Sequence, residues 1–371
     1  MSKLSVVMKA KLFKQDTVRR LLSNRTVHSQ APCRIDCGGT WDLRAFALSC
    51  YWAEPLTINI ALDKYVTVRL SEGQPGMVAV NSAGFARAEE RLSDLPFDGT
   101  LGLVFVIAYY FQLDGISLEI QSEFRPQSGL GGSGAVAVAV IAAIARLLVE
   151  AGMPRLNRNQ MAILGYNLED SLTLSPTGLQ DQAAAAFGGA NRWLWRYTNS
   201  RQPFVRQPLW PADEYDQLSR HILVAFSGQT HVSAELNDAW IRSFVSGKSR
   251  SQWLAILSAA RAFGDALEKK DWAAATNALQ TETALRVELT PQVLTPAMQE
   301  LVRHAEQERC AARFCGAGGG GHVWAIGKET DIERLRSRWE KSLKTFDPPG
   351  ELLSVSVTRF GVRTRILDRF R

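Results

Sequence analysis

From Ile116, "ISLEIQSEF" alternates apolar and polar residues, the two-residue period of a half-buried β-strand. Residues 53–70, "AEPLTINIALDKYVTVRL", hold two β-rich segments. Residues 31–43, "APCRIDCGGTWDL", read as a short strand running into a glycine turn. After Pro126 the pattern changes: a glycine cluster opens an apolar, alanine-rich run from Ala135 to Ala145, predicting a long helix to about Ala151. The run stops at Arg146, as a buried core helix does and a membrane span does not. A second helix is expected over roughly residues 158–171, and "FGGANRWLWRY" returns to strand character.

Beyond about Ala212, "HILVAFSG" predicts a strand leading into a mostly helical stretch from about Ser233 to Glu308. A second glycine cluster flows into a strand at His322–Ile326, followed by a helix over 331–345. A "DPPG" turn and a last strand at Leu352–Thr358 close the pattern. The order predicts an α+β fold in two domains, residues 1–205 and 206–371, behind a basic and partly helical lead-in.

Composition narrows the class. A chain of 371 residues, 46% of them apolar, suffices for two packed cores. The net charge of +6 comes from scattered Lys and Arg, which reads as a solvated surface and not a nucleic-acid face. The densest basic stretch, "VTRFGVRTRILDRFR", reads as a closing strand with solvated basic side chains. Cys33 and Cys37, like Cys310 and Cys315, lack Cys-x-x-Cys spacing, which speaks against zinc. Residues 1–20 contain no apolar core of signal-peptide length, so a cytoplasmic protein without a membrane partner is expected.

Three clusters carry candidate chemistry. The first is "PQSGLGGSGAVAVAV". Gly129, Gly131 and Gly134 have the spacing of a dinucleotide fingerprint, but Pro126 and polar residues separate them from the preceding strand. Ala135 and Val136 stand where a Walker A loop requires Lys and Ser or Thr. What survives is a backbone anion cradle at a helix N-terminus, with the Ser133 hydroxyl in the first turn. The second is "CGAGGGGHVWAI", whose four consecutive glycines imply an unusual backbone path or a close approach. The third is "TGLQDQAAAAFGG", where Asp181 precedes a run of small residues. Glu169 and Asp170, at a helix C-terminal end, oppose the helix dipole and call for compensation such as a cation.

In this order the clusters resemble the GHMP kinases, a family that includes galactokinase, homoserine kinase, mevalonate kinase and phosphomevalonate kinase. The glycine loop is similar to that family's G-L-G-S-S motif, "APCRIDCGGTWDL" to its N-terminal motif, and Gly316–Gly321 to its C-terminal G-A-G-x-G-G. "GLQDQAAAAFGG" and "GGTWD" resemble the fucokinase and heptose-phosphate kinase branch most closely. The chain departs from the pattern at Cys33, where a glycine is usual, at Gly132, which replaces the first loop serine, and at His322.

The resemblance implies an N-terminal ribosomal-protein-S5-like domain and a C-terminal ferredoxin-like α/β sandwich, with the active site in the cleft between them. It further implies ATP and Mg²⁺, and phosphoryl transfer to a hydroxyl of a hexose, 6-deoxyhexose or heptose 7-phosphate. By that likeness Asp181 is the catalytic aspartate and Arg34 the basic residue beside it. Gly129, Leu130, Gly131, Gly132, Ser133 and Gly134 bind the ATP phosphates, and Ser133 and Glu169 hold the metal. Asp42, Gly318 and Gly319 bind the acceptor. Two alternatives stay open: an inactive nucleotide- or sugar-binding regulator on the same fold, and a kinase for mevalonate or homoserine. The adenine pocket and the oligomeric state are not legible.

Overall fold

The computed structural model describes residues 15–172, 176–199, 201–230 and 234–368. Ser233, where the helical stretch is expected to begin, lies outside the described residues, as do both chain ends. Helix α1 (Gln15–Leu22) leads into β1 (Arg25–Cys37), α2 (Arg44–Ser49), β2 (Leu56–Glu72), β3 (Met77–Ser82) and β4 (Ala88–Arg91). Then come α3 (Gly102–Tyr110), β5 (Ile116–Ser122), α4 (Gly132–Glu150), α5 (Arg158–Leu172), α6 (Gln180–Phe187), β6 (Ala190–Trp195) and β7 (Phe204–Pro208). The second half contains α7 (Tyr215–Ser219), β8 (Ile222–Phe226), α8 (Ala234–Val245), α9 (Arg250–Glu268), α10 (Trp272–Leu289) and α11 (Pro296–Gln307). It closes with β9 (Ala311–Phe314), β10 (His322–Ile326), α12 (Glu329–Thr345), β11 (Glu351–Leu353) and β12 (Arg363–Asp368).

The first sheet runs β12-β1-β2-β5-β3-β4, with β6 and β7 continuing from β2. Residues 53–70, expected as two segments, are mostly one strand. The first part of β2 pairs with β6 and its second part with β5. A register shift between Pro32 and Cys33 bends β1 just before Arg34. Helix α4 lies across β1 and β2, where Ser29 Oγ donates to the Ala139 carbonyl at 2.6 Å. Ala137 to Ile144 are all buried, so α4 is a core helix as its composition predicts.

The second sheet is antiparallel in the order β11-β8-β10-β9. Numbered along the chain its strands run 4-1-3-2, a ferredoxin-like plan in which α8–α11 occupy the first crossover. Two features depart from the sequence reading. The expected strand over 352–358 is only the short β11, because Ser354–Ser356 leave the sheet. The basic tail does form a closing strand, β12, but it pairs with β1 in the first sheet. The last strand among the described residues thus returns to the first sheet, so residues 363–368 fall outside the unit expected to span 206–371. β7 also completes the first sheet to Pro208.

Candidate active site

An open cavity of about 810 Å³ lies between the domains. Its walls are Arg34 on β1, the turn carrying Thr40 and Asp42, Gly129 and Gly131 to Ser133 of the glycine loop, Glu169 on α5, the start of α6, Asn237 on α8, and Gly316. Candidates as far apart in the chain as Arg34 and Asp181, 147 positions, therefore share one space.

The glycine loop enters α4 through Gly131, whose φ of +76° is left-handed and which caps the helix without a side-chain hydrogen bond. The first N–H groups of α4 are accordingly left for a ligand, at the positive end of the dipole. Sterics explain two of the glycines. A Cβ at Gly131 would sit 3.2 Å from the Asp181 carboxyl carbon, and one at Gly134 only 2.6 Å from Asp181 Cβ. The loop can lie directly against the aspartate only because these positions lack side chains. Leu130 contributes backbone alone: its side chain is buried and its carbonyl accepts the Arg34 N–H at 3.0 Å.

Asp181 stands in the first turn of α6, where the dipole favours a carboxylate. Its Oδ1 accepts the Arg34 Nε–H at 2.8 Å and stands 2.7 Å from Nη2 in the same ion pair. Among the described residues no protein donor reaches Oδ2, and the side chain is 24% exposed, so one carboxylate oxygen faces the cavity. Burial pushes the Asp181 carboxyl up, and Arg34 opposes that shift. Arg34 itself is 4% exposed. Its Nη1 donates to Asp36 and to the Gly129 carbonyl, and the guanidinium forms part of the cavity wall.

Two further carboxylates reach the cavity. Asp42 is buried and accepts the Gln180 N–H at 3.1 Å. Burial first, then the charge of Asp181, raises its pKa to about 7. Glu169 is held by the Gln182 side-chain amide, and burial raises it likewise to about 7, partly offset by the Ser133 hydroxyl. Neither has an arginine or lysine in a salt bridge among the described residues, so the site favours an added cation.

These shifts have a definite stability sign. A carboxyl raised in the folded state holds a proton that the unfolded chain releases, so stability falls as pH climbs from about 4 to 7. Asp42→Asn removes that penalty. Its melting temperature relative to the unsubstituted protein should therefore rise from pH 5 to pH 8, in thermal scans without ligands; a difference independent of pH contradicts the shift.

The second glycine cluster meets the first. The His322 N–H and Nδ1 lie 3.0 and 2.8 Å from the Ser128 carbonyl, which pins the loop of one domain to a strand of the other. Gly318 and Gly319 are not brought to the cavity. Gly318 packs against Val293 and Phe314, and the Gly319 N–H donates to the Val293 carbonyl at 2.8 Å. Gly316 and Ala317 line the cavity instead. Sequence reasoning did not single out Gln180, Gln182, Thr177, Gly178 or Asn237. For the two glutamines the Q-D-Q string was the available signal, since the residues flanking Asp181 orient Asp42 and Glu169.

The family model for the GHMP kinases N terminal domain matches residues 101–189, and that for the GHMP kinases C terminal matches 260–345. The D-glycero-alpha-D-manno-heptose 7-phosphate kinase of Campylobacter jejuni is 25% identical, over 92% of this chain and 99% of its own. A D-glycero-D-manno-heptose 1-phosphate kinase from Bacteriodes thetaiotaomicron superposes with a TM-score of 0.67 at 20% identity, covering 91% of this chain and 98% of that one. Galactokinase of Lactococcus lactis, solved with galactose, gives 0.72 at 14% identity, covering 96% and 99%. Both family models fall on the domains that build the cavity, and the chain belongs to the GHMP kinase family.

Proposed function

We propose that the protein transfers the γ-phosphoryl group of ATP to a hydroxyl of a sugar or sugar phosphate. The observation that carries the reading is the contact between the glycine loop and Asp181: an anion cradle and a carboxylate with one free oxygen share a single cavity. Family membership supports ATP as phosphoryl donor, and the curated relative, a heptose 7-phosphate kinase, supports the acceptor class.

In this reading the N–H groups at the start of α4 hold the phosphates. Asp42 accepts acceptor hydroxyls and orients them. The attacking hydroxyl gives its proton to Asp181 Oδ2 as its oxygen bonds to phosphorus, and the bond to the ADP oxygen breaks. Arg34 keeps Asp181 aimed and, as a cation in the cavity wall, offsets charge beside Asp181 and on the transferring phosphoryl group. Positioning supplies most of the acceleration in such a transfer.

The residues fit magnesium. Among the described residues no three His, Cys, Asp or Glu side chains converge on one metal position, but Mg²⁺ commonly uses one or two protein ligands together with substrate phosphates. Ser133 and Glu169 would hold it, and when bound it neutralises charge on the phosphate oxygens. Ser133→Ala should then raise the magnesium concentration needed for half-maximal rate, measured by titration at saturating ATP; an unchanged requirement removes Ser133 from the ligand set.

The reading is tested by coupled ADP release over free hexoses, 6-deoxyhexoses and heptose phosphates, with mevalonate and homoserine alongside. Sugar-dependent release is expected. Nucleotide binding without release from any acceptor would favour the regulator, and release with mevalonate or homoserine alone would replace the acceptor class.

A further inference from the structure

The charges of the two domains meet at Asp36. It follows Arg34 by two positions on β1, so both side chains leave the same face of the strand. The Asp36 side chain is fully buried. Its Oδ1 accepts from Arg34 Nη1 at 3.1 Å and from the Gly316 N–H at 2.9 Å. Its Oδ2 accepts from Arg313 Nη1 at 3.1 Å. Arg313, on β9, reaches Glu282 on α10 at 2.7 Å, and Glu282 reaches Arg286 at 3.1 Å. From Asp181 through Arg34, Asp36, Arg313 and Glu282 to Arg286 the signs alternate, with three charges of each kind.

The guanidinium group is a rigid plane. Asp36 and the Gly129 carbonyl fix one corner of it at Nη1, and that sets the edge offered to Asp181. The same carboxylate holds the N–H of Gly316, a cavity-lining residue of the second domain. We propose that Asp36 is a positioning residue for phosphoryl transfer, holding the plane of Arg34, and through it Asp181, in register with the Gly316 turn across the cleft. This inference rests on the kinase reading above.

Two variants test it. Asp36→Asn keeps the volume and one acceptor oxygen but removes the charge. Asp36→Asn with Arg313→Gln removes one charge of each sign, leaving the remaining network balanced should the single variant fail to fold. Both should lower kcat about 10–100-fold with KM for ATP and acceptor little changed. Asp36→Asn should add no further loss in the Asp181→Asn background, because its effect passes through that residue. In protein labelled with ¹⁵N-arginine, the Arg34 Nε–H resonance should exchange faster with solvent in both variants.

A double variant that melts and turns over like the unsubstituted protein overturns the proposal. So does an undiminished loss from Asp36→Asn in the Asp181→Asn background. If the unsubstituted protein releases no ADP with any acceptor, the kinase reading fails and the resonance decides alone: unchanged protection of Arg34 in the variants refutes the positioning role.

Discussion

Asp181→Asn is expected to lower kcat by about 10²–10⁴-fold with little change in ATP affinity. The substitution isolates charge and basicity, because asparagine has the same shape and its oxygen can still accept from Arg34 Nε as Oδ1 does. What disappears is the second carboxylate oxygen as a proton acceptor. The phosphate cradle is built from backbone at the start of α4, so nucleotide binding has no need of the Asp181 charge. Folding should survive, since Arg34 retains Asp36 as a carboxylate partner. Because burial holds the Asp181 carboxyl above its usual range, the unsubstituted enzyme should lose kcat/KM on acidification before an exposed aspartate would titrate. Steady-state kinetics with the best acceptor from the ADP-release screen decide the matter, and wild-type turnover in the variant would falsify the role given to Asp181.

The parts of the site readable in the sequence are those carried by contiguous motifs. The glycine loop and the residues around Asp181 are each a short string with a physical signature, and the structure lays one on the other. Arg34 is 147 positions from Asp181, and no periodicity joins them. Only the resemblance to a family brought them together. Within the second cluster the resemblance pointed to Gly318 and Gly319, but φ is positive at Gly316 and at every glycine from Gly318 to Gly321, and only the tertiary path separates the packed Gly318 from the lining Gly316.

The long-range strand pairing was equally hidden. "RTRILD" alternates as a strand should, but nothing local says that it joins a sheet begun more than 300 residues earlier. The buried ion network was invisible for a different reason. Asp36, Glu282, Arg286 and Arg313 are the residue types that composition assigns to the surface, and each becomes tolerable in the interior only through the others.

The same network sets the largest stability effect. Glu282 is fully buried between two fully buried arginines, with Oε1 on Arg286 Nε and the Gly38 N–H, and Oε2 on Arg313 Nε. Burial alone would raise its pKa, but Arg313 and then Arg286 overcome that and hold it below the usual carboxylate range. A lowered folded-state pKa means that this stabilisation is present above the unfolded value near 4.3 and is lost as pH falls through the folded one. Glu282→Ala leaves two arginines without their shared partner, and breaking a buried pair from one side typically costs about 3–5 kcal/mol. Arg313 can still turn to Asp36, and Arg286 to the Thr40 hydroxyl and the Gly39 carbonyl, which places the effect toward the lower end. Glu282→Gln keeps the acceptor oxygen and should lose less. Urea unfolding at pH 7 reads both; an alanine variant with an unchanged midpoint would show that water replaces the carboxylate at no cost, and the network would then lose its claim to hold the two domains together.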